Sequence, residues 1–192
     1  MSPLPDPDRR PWATRVLGHS LVQPDRLSCG AACLVVARVL TDERYAEVMA
    51  TSGVVTRFRA EVSAMHRRVT GPVDVRGQLQ LPWPRALGTP PWAVARQLGA
   101  SYETRTVLPG TRHVVHDACL PALQENRPVA LFIGNRWLPR HVVLAVAGTG
   151  SGLSVYDPAG GRLVEVTRRA FVDAELRLSG WDIPWFVVAP AT

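Results

Sequence analysis

With 192 residues, 46% of them hydrophobic and 20% charged, the chain can bury the core of one globular domain, which excludes a disordered or fibrous protein. No apolar run reaches the roughly 18 residues needed to cross a bilayer, and the N-terminal MSPLPDPDRRPWATRV carries prolines and acids where a signal peptide has its apolar segment, so a cytoplasmic protein, or one exported without a signal peptide, is expected. The 22 Lys and Arg against 16 Asp and Glu give a net charge of +6, yet without a dense basic block or interleaved aromatics nucleic acid is only a minor expectation, and an odd set of three cysteines argues for reduced thiols.

Residues 1–13 hold four prolines and alternating charges and read as a flexible tail, which leaves 14–192 as a single domain. Gly30 to about Leu40 is apolar all round, the mark of a helix buried in a core. Asp42 to about Ala50 and Val54 to about Val69 each suit a helix, the second with Phe58, Val62, Met65 and Val69 at steps of three and four. The prolines at 72, 82, 84, 90 and 91 make 71–91 an irregular connection, and Thr89-Pro90-Pro91-Trp92 starts a helix that stops at Gly99. Short runs rich in β-branched and aromatic residues follow at 102–108, 129–134, 141–147, 153–157, 162–166 and 184–189, interrupted by a helix from about Val114 to Asn126. Helices first and strands second, with no internal repeat, predict an α+β fold with a mostly antiparallel sheet.

Cys29 stands where the first buried helix begins, and aligned amides at a helix N-terminus stabilise a thiolate. Gly30 beside it would leave room for a substrate backbone. His141 opens the strand HVVLAVA, from which an imidazole could take and return a thiol proton, and Asp157 ends a neighbouring strand, where a carboxylate could hold that imidazole in one tautomer. Gln23 lies six residues before Cys29 and could donate its side-chain amide to an oxyanion together with the Cys29 backbone amide. Each also has a plain structural reading as a small buried residue, a turn aspartate or a loop glutamine; the ordered set of four favours chemistry. Asn135, in the Gly-Asn loop before His141, is a substrate contact or a substitute for Asp157. Cys33, one helical turn after Cys29, reads as core. His19, His66, His113 and His116 read as surface or capping residues, and Trp137, Trp181 and Trp185 as packing. No Cys-x-x-Cys or His-x-x-x-His pattern accompanies the cysteines, so neither metal nor organic cofactor is expected.

The segments QPDRLSCGAACLVVARVL, RHVVLAVAG and SVYDPAGG resemble the double-glycine-leader peptidases, papain-like cysteine proteases that trim bacteriocin precursors, usually as one domain of an exporter. The resemblance covers 23–40 and 128–160 best. It implies a papain-like fold, with a helical N-terminal half packed on a C-terminal antiparallel sheet. It also implies a Cys29-His141-Asp157 triad with Gln23 at the oxyanion hole, and cleavage of a peptide or protein substrate after a small step such as Gly-Gly. Ser28 stands where many members carry an acidic residue, and nothing in these residues resembles a transporter, so a stand-alone peptidase is expected. The same triad would serve a deamidase, a transglutaminase or a papain-fold toxin or effector, and a non-catalytic peptide-binding module is a further alternative.

Overall fold

The computed structural model describes residues 11–191. Helix α1 (Pro11–Leu17) begins inside the stretch expected to be a tail, with Pro11 at the first helical position, where a missing N–H costs nothing; residues 1–10 lie outside the described residues. Helix α2 (Cys29–Thr41) is buried along almost its whole length and ends at Asp42, whose carboxylate accepts the Tyr45 amide and caps α3 (Glu43–Met49). Helix α4 (Val54–Thr70) presents Phe58, Val62, Met65 and Val69 to the core at the spacing expected from the sequence.

The connection 71–90 is irregular, with one short 3₁₀ turn at Arg85–Leu87. Gln80 fixes it to the end of α4 by donating to the Arg68 and Gly71 carbonyls, and Asp74 pairs with Arg96 of α5 (Pro91–Leu98).

The sheet comprises β1 (Tyr102–Thr106), β2 (Val129–Gly134), β3 (Pro139–Gly148), β4 (Gly152–Asp157), β5 (Arg162–Thr167) and β6 (Ile183–Pro190), all antiparallel, in the order β1-β6-β2-β3-β4-β5. Ala130, Phe132, Val142, Leu144 and Tyr156 join the core formed with α1 to α5. The residues between them, Leu131, Ile133, Val143 and Val155, join a second core under α6 (Arg112–Gln124) and α7 (Arg168–Asp173). Strand alternation therefore feeds two layers, which is why these strands read as continuous apolar runs. Helix α7, which the sequence pattern missed, starts where Thr167 accepts the Ala170 amide. The result is an α+β fold, a helical half with its buried Cys29 helix against an antiparallel sheet.

One seam joins the halves. Tyr156 donates its hydroxyl to the Leu21 carbonyl, Leu21 donates to Gly161, and Gln23 donates to the Pro158 carbonyl at 2.9 Å. Gly161, at φ +61°, lets the two backbones meet, since a Cβ there would lie 2.8 Å from the Val22 nitrogen. Replacing Tyr156 with Phe leaves the Leu21 carbonyl without its donor; we expect a loss of about 1–3 kcal/mol in urea denaturation, and an unchanged midpoint would contradict the role of this seam.

Candidate active site

Cys29 is the first residue of α2, and the preceding Ser28 supplies no side-chain cap, because its hydroxyl donates to the Asp25 carbonyl instead. The first amides of a helix have no intrahelical acceptor, so the N–H groups around Cys29 face the site uncapped by Ser28. Asp25 organises the approach to the helix: its carbonyl accepts from both Ser28 and the Gln23 side chain, and its carboxylate accepts the Leu27 amide. Nothing in the sequence pattern singled out Asp25.

His141 and Asp157, sixteen residues apart, meet across the β3–β4 hairpin with Nε2 2.8 Å from Oδ1, and both are buried. A carboxylate only accepts, so Nε2 carries the proton and donates. Cys29 is near enough to His141 to act on its charge. Burial alone would push the imidazole down; the hydrogen bond to Asp157, with the nearby Cys29 and the charge of Asp157, outweighs it and raises the pKa to about 9. Asp157 is likewise pushed up by burial and pulled further down by donors, namely His141, the Ser179 hydroxyl and the Ala159 amide, and stays below its ordinary value. Cys33 is buried beneath Cys29, its thiol donating to the Val142 carbonyl at 3.4 Å, and burial together with the charges of Cys29 and Asp157 raises it well above the ordinary thiol value. Cys33 is held as a neutral core thiol.

Of the residues expected at the site, His141 and Asp157 meet directly, and the others are placed in their own surroundings. The Gln23 backbone sits beside Pro158, next to Asp157, and its side-chain amide spends one hydrogen on the Asp25 carbonyl at 2.6 Å. Gly30 does not open onto free space: a Cβ there would lie 2.6 Å from the Cβ of Thr89, so the glycine makes room for the end of the 71–90 connection. Asn135 is built into the β2–β3 turn, where Oδ1 accepts the Trp137 and Leu138 amides, and the partner of His141 is Asp157. Trp137 is 68% exposed at that turn, with the Arg136 guanidinium over its ring, and is not packing. His66 and His116 are buried instead of lying at the surface, and Ser179, which touches Asp157, carried no signal in the sequence.

No family model matches the chain, and none of the curated proteins does. Among solved structures it is similar to the peptidase domain of Streptococcus ComA, a bi-functional ABC transporter involved in a quorum sensing pathway. The TM-score is 0.41 and the identity 15%, over 89% of this chain and 97% of that one.

The His141 pair has a signature in stability. Its folded pKa of about 9 exceeds the ordinary 6.5, so its contribution is fully present below about pH 6.5 and is lost as pH rises through about 9. Asp157 is ionised in both folded and unfolded chains over that window, since its folded pKa lies below 3.8. Urea denaturation across the window should show the wild type losing its advantage over Asp157→Asn as pH rises; a gap that does not change with pH would refute the assignment.

Proposed function

We propose that this chain is a cysteine peptidase whose nucleophile is Cys29. The carrying observation is the buried, hydrogen-bonded His141–Asp157 pair beside a cysteine at a helix N-terminus that Ser28 leaves uncapped. In this reading His141 takes the thiol proton, the thiolate attacks a peptide carbonyl, and the imidazolium returns the proton to the leaving amine. Water then attacks the thioester carbonyl with His141 as base, releasing the acid and the free thiol. Asp157 keeps Nε2 protonated, so the other ring nitrogen is the one that exchanges protons with sulfur. The Cys29 amide and the Gln23 side chain are the donors we assign to the oxyanion. Thr89, set over Gly30, narrows the space beside the nucleophile, which supports small residues such as Gly-Gly at the scissile bond.

Iodoacetamide labelling followed by mass spectrometry tests the pair without a known substrate. Cys29 should label faster than Cys33 and Cys119 at about pH 6, and His141→Ala should slow it. On a peptide library containing Gly-Gly steps, Cys29→Ala should abolish cleavage with the fold intact, and His141→Ala should reduce it by about 10²–10⁴-fold. Cleavage that survives Cys29→Ala would refute the proposal.

A further inference from the structure

The segment 174–182 between α7 and β6 carries an unusual backbone. Three residues other than glycine, Ala174, Arg177 and Ser179, have φ of 57°, 53° and 50°, and Gly180 follows at 84°. L-residues adopt that region at a cost and hold it only where the surroundings impose it. Here they do: Leu176 donates to the Asp182 carbonyl, Arg177 to the Asp182 carboxylate, Leu178 and Trp181 exchange both backbone hydrogen bonds, and Asp182 donates to Gly134 at the end of β2. Leu176 and Leu178 are buried in the second core. This tied, left-handed loop aims one polar group inward, the Ser179 hydroxyl, which donates to Asp157 Oδ2 at 2.5 Å.

We infer that Ser179 is a positioning residue for the proposed triad, fixing through its hydroxyl which carboxylate oxygen of Asp157 faces His141. The inference rests on the active-site reading above. The Asp157 carboxylate then has its two oxygens divided: Oδ2 is taken by Ser179, and Oδ1 by His141 Nε2 and the Ala159 amide. Without the hydroxyl Oδ2 loses its donor, and the buried carboxylate is held less firmly and takes up a proton at higher pH. The other titratable or charged groups around it are Tyr156 beside it on β4, Arg162 opposite it on β5, and Cys29 and Cys33 on α2. None of these hydrogen-bonds to Oδ2, so Ser179 alone answers for that oxygen among the described residues.

The test is the pH profile of Cys29 alkylation by iodoacetamide in the full chain, read by mass spectrometry between about pH 4 and 9, for the wild type, Ser179→Gly, Ser179→Asn and His141→Ala. Glycine accepts the left-handed backbone and lacks the hydroxyl; asparagine also tolerates that backbone and keeps a donor. The acid limb should move up by about 0.5–1 pH unit in Ser179→Gly and stay nearer the wild-type position in Ser179→Asn. A Ser179→Gly profile superimposed on that of the wild type, or one altered equally in Ser179→Asn, would overturn the inference while leaving the His141 effect standing. A Cys29 rate indifferent to His141→Ala would overturn the active-site reading and this inference with it. Should Ser179→Gly fail to give a folded protein, the comparison of Ser179→Asn with the wild type decides: a shifted acid limb refutes the role of the donor.

Discussion

Helix α2 lies on strand β3 through Cys33, whose thiol donates to the Val142 carbonyl, and that register decides where the candidate site falls. Cys29 is four residues nearer the start of the helix, about 6 Å along its axis, and His141 is the residue before Val142 on the strand. Fixing the one contact therefore sets the thiol against the strand end that carries the imidazole. The helix can bed this deeply because Gly30, Ala31, Ala32 and Cys33 are small and, apart from the exposed Arg38, every residue up to Leu40 is apolar and buried. A larger residue at position 33 would push the helix off the sheet and move Cys29 with it.

Burial makes the polar part of the site an all-or-nothing arrangement. An ionised carboxylate in the position of Asp157 is costly unless its oxygens are met by donors, and three donors meet it. A second His–Asp pair among the described residues shows what the surroundings decide. His116 Nδ1 lies 2.9 Å from Asp117, but Asp117 is exposed and the Arg168 guanidinium grips both its oxygens, holding it far below the usual carboxylate range with the help of His116. Its charge is already answered, and no thiol or hydroxyl stands at the far nitrogen of His116, which is buried without a partner. The same two residue types make a latch between α6 and α7 in one place and a polarised imidazole beside a cysteine in the other.

Much of this was readable in the sequence, for reasons that separate the successes from the failures. The strands and α2 announce themselves because burial on all sides writes a continuous apolar run, and α4 because burial on one side writes a period. Cys29, Gln23, His141 and Asp157 could be chosen together because their order and spacing form a pattern that no one of them carries. Ser179 could not be found this way: its left-handed backbone is imposed by Leu176, Leu178 and Asp182 on residues that do not themselves favour it, so the local sequence gives no sign. The sequence marks Gly30 as a site where something comes close, but not that Thr89 does so, since Thr89 is 59 positions away and reaches it only through the path of an irregular connection. The burial of His116 leaves no sign in the sequence, because it comes from Phe171 on α7, a helix too short to leave a periodic trace.

That irregular connection bears on what the site can accept. It is not a free flap, because Gln80 ties it to the end of α4, Asp74 to Arg96 on α5, and Trp83 packs edge-on against Trp92 at 5.0 Å. Thr89 is buried at the end of this tied segment and sits where a side chain on residue 30 would be. A wall held at both ends cannot retreat to admit a bulky group without breaking those contacts, whereas a chain lacking side chains near the reacting carbonyl needs no retreat. The preference for small residues proposed for this site is thus a consequence of how the connection is anchored, and it would loosen with the anchors at Gln80 and Asp74, which lie well away in sequence from Cys29.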